Sequence, residues 1–356
     1  RVARGEADTF YLLLAVVDRP LALRRLERMT VQLSSLGGAA GPLRAKVGIY
    51  ALPEGQIDPA LAENRADLAR KMGEGDGQPG CVFYTEEMGA RLREEHELLT
   101  ELEPGLEHGE FLVYFQPKFS PQTEEIGGAE ALVRWQHPQK GFIYPSDFIP
   151  VFERSGDICR LDLYVFEEVC AMLAGRLAQG APVFPVAVNL SRRHFQTTDF
   201  LQRFADIRDQ YQIPGGLIEL ELTESIFFTV GDILNVKEAI RRMHELGFLC
   251  SLDDFGAGFS SLGLLKSFMV DSVKLDRSFF LDDSQRAHDV VESIVELARK
   301  LGIETVAEGI EAPEQVDFLR SIGCDLVQGY VYARPMPAEE LEAWMRARHG
   351  GEVTQI

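Results

Sequence analysis

Phe248-Leu249-Cys250-Ser251-Leu252-Asp253-Asp254-Phe255-Gly256-Ala257-Gly258-Phe259-Ser260-Ser261-Leu262 is an apolar run that ends in two adjacent acids and passes at once into a glycine loop. Phe248, Leu249, Cys250 and Leu252 suit a short buried strand. Two like charges at the end of such a strand repel each other and resist desolvation. A metal cation makes that arrangement favourable. So does a turn in which one Asp caps the next helix and the other faces water. For the isolated pair the cap is the simpler reading, because Asp favours caps and turns. The flanking chain decides between them.

From Phe111 onward one pattern repeats: an apolar run, a polar residue at or near its end, then a helical segment. Strands are expected at 111–116, 126–135, 183–190, 217–222, 248–252, 272–275, 303–307 and 326–330. Helical periodicity is clearest at 161–177, 230–246, 290–301, 313–322 and 338–348. Strands alternating with helices over this length fit a (β/α) barrel. The first two strands are separated only by residues 117–125, with two prolines and no helical pattern. Parallel neighbours need a longer crossover, so this link predicts a hairpin and one antiparallel strand in the barrel.

Side chains at the carboxyl ends of barrel strands converge on one mouth. At or near those ends, or at the matching level of the reversed strand, stand Gln116, Glu130, Asn189, Glu221, Asp253, Asp254, Lys274, Glu308 and Gln328. Singly, Asn189 reads as a turn residue, Lys274 as a salt-bridge partner and Gln328 as a cap. Jointly, carboxylates and an amide aimed at one region are hard oxygen donors that suit Mg²⁺ or Mn²⁺. The oxygens suffice for two ions bridged by one Asp, a clamp used in phosphodiester hydrolysis.

The 356 residues carry 56 Asp plus Glu against 36 Lys plus Arg, a formal charge of −20. Two domains are the default for this length. The charge argues against wrapping polymeric nucleic acid, whose affinity rests on phosphate neutralisation. It leaves room for a small anion bound through metals and a few placed cations. No run approaches a membrane span. The chain starts at Arg1 without a signal peptide and reads as a piece of a longer protein, cytoplasmic here, with any membrane anchor upstream. Five cysteines without a Cys-x-x-Cys pair read as core residues of a reducing compartment, and the seven histidines show no His-x-x-x-His spacing for zinc.

The first hundred residues are α/β in pattern, with strands expected at 10–17, 46–50 and 81–84 and helices at 21–36 and 64–71. No residue cluster there would do chemistry. Met88, Leu92, His96, Leu99 and Leu102 then recur at helical steps among charges, as in an amphipathic connecting helix that Pro104-Gly105 should end.

The barrel half resembles the EAL family of cyclic di-GMP phosphodiesterases. Glu130-Ala131-Leu132-Val133-Arg134-Trp135 is that family's naming motif. Asn189-Leu190-Ser191, Glu221-Leu222-Thr223-Glu224, Asp253-Asp254-Phe255-Gly256, Lys274-Leu275-Asp276, Ala307-Glu308-Gly309-Ile310-Glu311 and Gln328-Gly329-Tyr330 follow in its order. Ala257 and Phe259 stand where the family commonly has Thr and Tyr, two lost hydroxyls that touch no ligand. The first part is similar to the second half of a GGDEF domain. Glu6-Ala7-Asp8-Thr9-Phe10 occupies the signature position with both glycines and the Glu replaced, and Ala66-Asp67-Leu68-Ala69 matches a later pattern.

These resemblances imply a TIM-like (β/α)8 barrel with one antiparallel strand, preceded by a partial α/β GGDEF-like domain unable to make a cyclic dinucleotide. The implied divisions are 1–86, a connecting helix at 87–106, the barrel at 107–348 and a tail at 349–356. Hydrolysis of cyclic di-GMP to linear pGpG is the implied activity, with two Mg²⁺ or Mn²⁺ ions. Glu130, Asn189, Glu221 and Asp253 would hold one ion; Asp253, Asp254 and Glu308 the other. Lys274, Glu308, Glu311 and Glu130 form the implied catalytic set. Gln116, Leu132, Arg134, Asp276 and Gln328 match dinucleotide-contacting positions, and Glu224 would brace the loop after Asp254. A homodimer contact near 256–262 is expected. The alternatives are a cyclic di-GMP receptor that signals through the connecting helix without turnover, and a metabolic barrel enzyme that ignores the dinucleotide.

Overall fold

Strand pairing closes residues 111–327 into a ring, in a computed structural model that describes residues 1–349 except 6, 16–17, 36–42, 44, 55–57, 73–79, 198, 225, 227–232 and 257–261. The chain divides into two compact units, one over Arg1–Leu98 and one from Leu99 onward.

In the first unit, β1 (Val2–Arg4) and β2 (Phe10–Leu12) form an antiparallel hairpin. Gly5 N–H donates to Thr9 O at 2.9 Å across its turn, where Ala7 takes a φ of 52°. Of the strand expected over 10–17, the residues described as paired are Phe10–Leu12, and Phe10 stays exposed. Helix α1 (Arg19–Ser34) buries Leu26 and Thr30. β3 (Val47–Ile49) pairs in parallel with β4 (Cys81–Phe83), and α2 (Pro59–Met72) packs on both. Arg65 of α2 lies over the rings of Tyr50 and Tyr84 and donates to Tyr50 Oη at 2.6 Å. That guanidinium ties the helix to the strand ends.

Helix α3 (Glu86–Glu107) runs through Pro104 rather than ending there. Proline removes one backbone donor, but the helix closes beyond it: His108 N–H reaches Pro104 O at 2.9 Å and Glu110 N–H reaches Gly105 O at 2.9 Å. Leu102, fully buried, anchors this last turn.

The second unit is a closed barrel of eight strands. Its order is β5 (Phe111–Phe119), β6 (Ile126–His137), β8 (Val186–Asn189), β9 (Ile218–Thr223), β10 (Leu249–Phe255), β11 (Ser272–Leu275), β12 (Glu304–Ala307) and β13 (Leu326–Val327), returning to β5. β5 is antiparallel to both neighbours and the remaining barrel pairings are parallel, as the short first link demands. β7 (Gly141–Ile143) extends β6, and β14 (Met336–Pro337) pairs with β5.

The helices of this unit are α4 (Pro145–Ser155), α5 (Ile158–Ala178), α6 (Phe200–Gln210), α7 (Ile233–Glu245), α8 (Leu262–Ser267), α9 (Gln285–Leu301), α10 (Pro313–Ile322) and α11 (Ala338–His349). Of the longer ones, α4 and α6 lack a sequence expectation, although Pro145 and Gly156 bracket the first as start and stop signals.

Several boundaries moved for identifiable reasons. β5 continues through Pro117, which pairs with Ala129; the Ala129 N–H points the other way, to Pro185 O at 3.0 Å, so this rung needs no proline donor. β10 includes both acids, with an irregular register after Leu252 and Asp254 at a φ of 54°. β13 stops at Val327, leaving Gln328 just past its end.

Outside the barrel, Phe111, Trp135, Phe148 and Phe152 form one aromatic cluster, with Trp135 stacked on Phe111 at 4.5 Å. Elsewhere in this unit, buried His194 bonds Asp162 Oδ2 through Nε2 at 3.0 Å. Burial alone would lower the imidazole pKa, but bonds to Asp162 and Cys159 outweigh it and lift the ring to about 9. Burial pushes the Asp162 carboxyl up, which offsets part of that gain. A raised histidine stabilises the fold fully below its unfolded pKa of ~6.5 and loses that contribution as pH rises through about 9. Unfolding followed by urea should therefore show stability falling between those limits by on the order of 1–3 kcal/mol. His194→Phe should remove that slope; an unchanged slope would contradict the assignment.

Candidate active site

Ladder register sets the level at which the polar residues meet. Gln116 pairs with Glu130, Asn189 with Glu221, and Asp253 with Thr223. Alternation along each strand turns these side chains into the barrel. Glu130 lies mid-strand, because β6 runs seven residues past it beyond the neighbouring strand end.

Lys274 is the centre of the arrangement. Its side chain is 1 % exposed, and the ammonium lies 2.8 Å from Glu221, 2.8 Å from Glu308, 3.0 Å from Asp253 and 3.4 Å from Glu130. Burial opposes the charge, but the Asp253 and Glu130 carboxylates lead a stronger attraction that holds the lysine pKa well above its usual value. A second lysine, Lys118, sits below at 3.2 Å from Glu221 and 3.0 Å from Glu219, and its pKa is likewise raised by those acids against burial. Sequence reasoning missed Lys118.

The acids respond differently. Glu130 accepts from Asn189 Nδ2 at 3.2 Å and from Gln328 Nε2 at 2.6 Å. Burial would raise its carboxyl, yet Lys274 and then Lys118 bring it down to about 2. For Glu308 burial wins over Lys274, with help from Asp253 and Glu130, and its pKa rises to about 7. Glu221, completely buried, is pushed well up by burial. Asp254, at the rim, is raised first by desolvation and then by Asp253 and Asp276.

A cavity of about 280 Å³ opens above these groups. Gln116, Glu130, Leu132, Asp253, Lys274, Glu308, Glu311 and Gln328 line it, as expected, together with Arg277, Gly309, Gly329 and Tyr330, which were not foreseen. Gln328 also donates to Gln116 Oε1 at 3.1 Å, and Gln116 to Ala333 O at 3.2 Å. Gly329 is required sterically, since any Cβ would collide with the Ile310 carbonyl. Gly309, at a φ of 65°, lets Arg277 lie within 2.6 Å of where a Cβ would be.

Arg134, Asp276 and Glu224 are not among the residues that line the cavity. Arg134 lies over the Tyr114 ring at 5.7 Å and donates to Val133 O, outside the cavity lining. Asp276 caps the short turn Arg277–Phe280 by accepting from Ser278 N–H at 2.9 Å. Glu224 is buried, with its N–H donating to Asp253 O at 3.3 Å. The loop that it should brace, including Ala257 and Phe259 and most of the expected dimer contact, lies outside the described residues.

The donor set fits divalent cations. Oxygens of Asp253, Asp254 and Glu308 lie within 4.8 Å of one another. Four carboxylates also surround the Lys274 ammonium, and Asp253 and Glu308 belong to both groups. Five acids (Glu130, Glu221, Asp253, Asp254 and Glu308) stand around the one ammonium of Lys274, so the region carries excess negative charge. Hard oxygen donors with surplus charge are what Mg²⁺ or Mn²⁺ require.

A family model described as the EAL domain matches residues 99–335. The chain is 32% identical over 353 residues to the cyclic di-GMP phosphodiesterase NbdA of Pseudomonas aeruginosa, covering 97% of this chain and 45% of that protein. It is 35% identical over 316 residues to the cyclic di-GMP phosphodiesterase PA2567 of the same organism, covering 86% and 52%. Among solved structures, the PaMucR phosphodiesterase in complex with c-di-GMP superposes with a TM-score of 0.64 at 34% identity, covering 69% of this chain and 99% of that one. The chain spans about half the length of the curated relatives it matches.

Proposed function

This chain belongs to the EAL-domain family, and from that premise we propose that it hydrolyses cyclic di-GMP to linear pGpG. The observation that carries the proposal is the Lys274 ammonium held among four carboxylates on the wall of an open cavity. In the reaction a water oxygen bonds to one phosphorus, one P–O ester bond breaks, and the leaving ribose oxygen takes a proton. Glu130, Asn189, Glu221 and Asp253 would hold one Mg²⁺ or Mn²⁺ ion; Asp253, Asp254 and Glu308 would hold a second. Bound there, the ions supply an activated water and charge neutralisation for the phosphate.

The protein's own groups do the rest. Lys274 places a fixed positive charge at the reacting phosphate, held in position by the carboxylates around it. Gln328 and Asn189 hold Glu130 from both sides, so its carboxylate cannot rotate away. Gln116 and Leu132 shape the cavity for the dinucleotide, and Arg277 and Glu311 flank its mouth. Glu130→Ala should leave the barrel folded and lower pGpG formation by about 10²-fold or more, and chelation of divalent ions should stop the wild type. Full activity in chelator would sink the metal assignment.

The reading extends to the remaining parts of the chain. Residues 1–86 form a GGDEF-like unit without its signature, serving regulation rather than synthesis. The barrel works in the cytoplasm, where its free cysteines stay reduced. It acts as a homodimer, which sedimentation would test directly.

A further inference from the structure

Interior layers of a β-barrel are ordinarily apolar. One layer below the cavity, this barrel instead carries Lys118 on β5, Glu219 on β9, Ser251 on β10 and Ser272 on β11. Each sits two residues from a cavity-level group: Gln116, Glu221, Asp253 and Lys274 in turn. All four are buried. They satisfy one another: Lys118 Nζ meets Glu219 Oε2 at 3.0 Å, Ser272 Oγ donates to Glu219 Oε1, and it lies 2.7 Å from Ser251 Oγ.

A buried ion pair is a poor source of stability, because desolvation consumes most of the attraction. The layer is better explained by what it does to the group above it. Glu221 is shared between two lysines, with Oε1 at 3.2 Å from Lys118 and Oε2 at 2.8 Å from Lys274.

We propose that Lys118 is a positioning residue for the hydrolysis: by occupying Glu221 Oε1 from beneath, it leaves only Oε2 to face Lys274 and the incoming cation. This rests on the phosphodiesterase reading above. Lys118 touches neither the cavity nor the reacting atoms, and acts through Glu221. Without it, both Glu221 oxygens become available, the cation is gripped more tightly, and Lys274 is held less correctly for its task.

Lys118→Met alone would strand Glu219, so the informative protein is Lys118→Met/Glu219→Gln, in which the amide at position 219 is uncharged and can still accept from Ser272. Glu219→Gln alone is the control. Each is followed by thermal unfolding, by Mn²⁺ titration without substrate using electron paramagnetic resonance, and by kcat and KM for cyclic di-GMP. The double variant should unfold near the wild-type temperature, bind Mn²⁺ about fivefold tighter, and lose about 10- to 100-fold in kcat with KM within about twofold. The control should keep Mn²⁺ affinity and kcat within about twofold of wild type, because Lys118 still holds Glu221 Oε1, while unfolding at a lower temperature. Unchanged Mn²⁺ affinity and kcat in the folded double variant would overturn the proposal, as would a control that reproduces the full effect. If the wild type forms no pGpG, the phosphodiesterase reading fails, while the Mn²⁺ comparison still decides whether Lys118 governs Glu221. A wild type that binds no Mn²⁺ overturns both.

Discussion

Lys274→Met should lower the rate of pGpG formation by about 10³-fold at saturating Mg²⁺, equivalent to about 4 kcal/mol in the activation barrier. Methionine approximates the lysine stem and removes the ammonium. That ammonium is the shared partner of Glu130, Glu221, Asp253 and Glu308, all within 3.4 Å. Two consequences follow from its loss. The phosphate loses a positive charge that the surrounding carboxylates hold fixed in place, so no reorganisation is needed when charge develops on it. The four acids also lose their common counter-ion, so the variant should be less stable than wild type without divalent ions and should recover much of the difference when Mg²⁺ is added. Steady-state kinetics and thermal unfolding with and without Mg²⁺ check both. A rate within about tenfold of wild type would remove Lys274 from the centre of the mechanism.

Trp135→Ala should cost about 3–5 kcal/mol of stability, the range for deleting a large buried aromatic side chain. Trp135 is fully buried, stacks on Phe111, and packs edge-on to Phe148. Its Nε1 donates to Glu110 Oε2 at 3.0 Å, a bond lost with the ring. The site would feel the loss, because Trp135 pairs with Phe111 at the end of the same β5–β6 ladder that sets Gln116 opposite Glu130. Urea unfolding measures the first effect, and a fall in activity already below the unfolding transition would reveal the second. A loss under about 1 kcal/mol would mean that the cluster repacks.

Much of this arrangement is legible in the sequence, for physical reasons that differ by element. The hairpin between β5 and β6 follows from a link too short for a parallel crossover, and the structure forms it. Residues 313–322 announce a helix through Pro313 at the start and Gly323 at the end, and α10 occupies those positions. The carboxylates converge as strand-end logic requires. What stayed hidden depends on closure of the ring. Lys118 falls in the link expected at 117–125, and only the continuation of β5 through Pro117 to Phe119 puts it on the inward face against Glu219. Arg277 and Tyr330 reach the cavity from turns after β11 and β13, where side-chain direction has no period to read.

The central claim is that this cavity breaks a phosphodiester rather than merely holding one. Mixing the protein in molar excess over cyclic di-GMP with Mg²⁺, then resolving the nucleotides by chromatography, tests it in a single turnover. The account predicts complete conversion to pGpG; recovery of intact cyclic di-GMP bound to folded protein would contradict it.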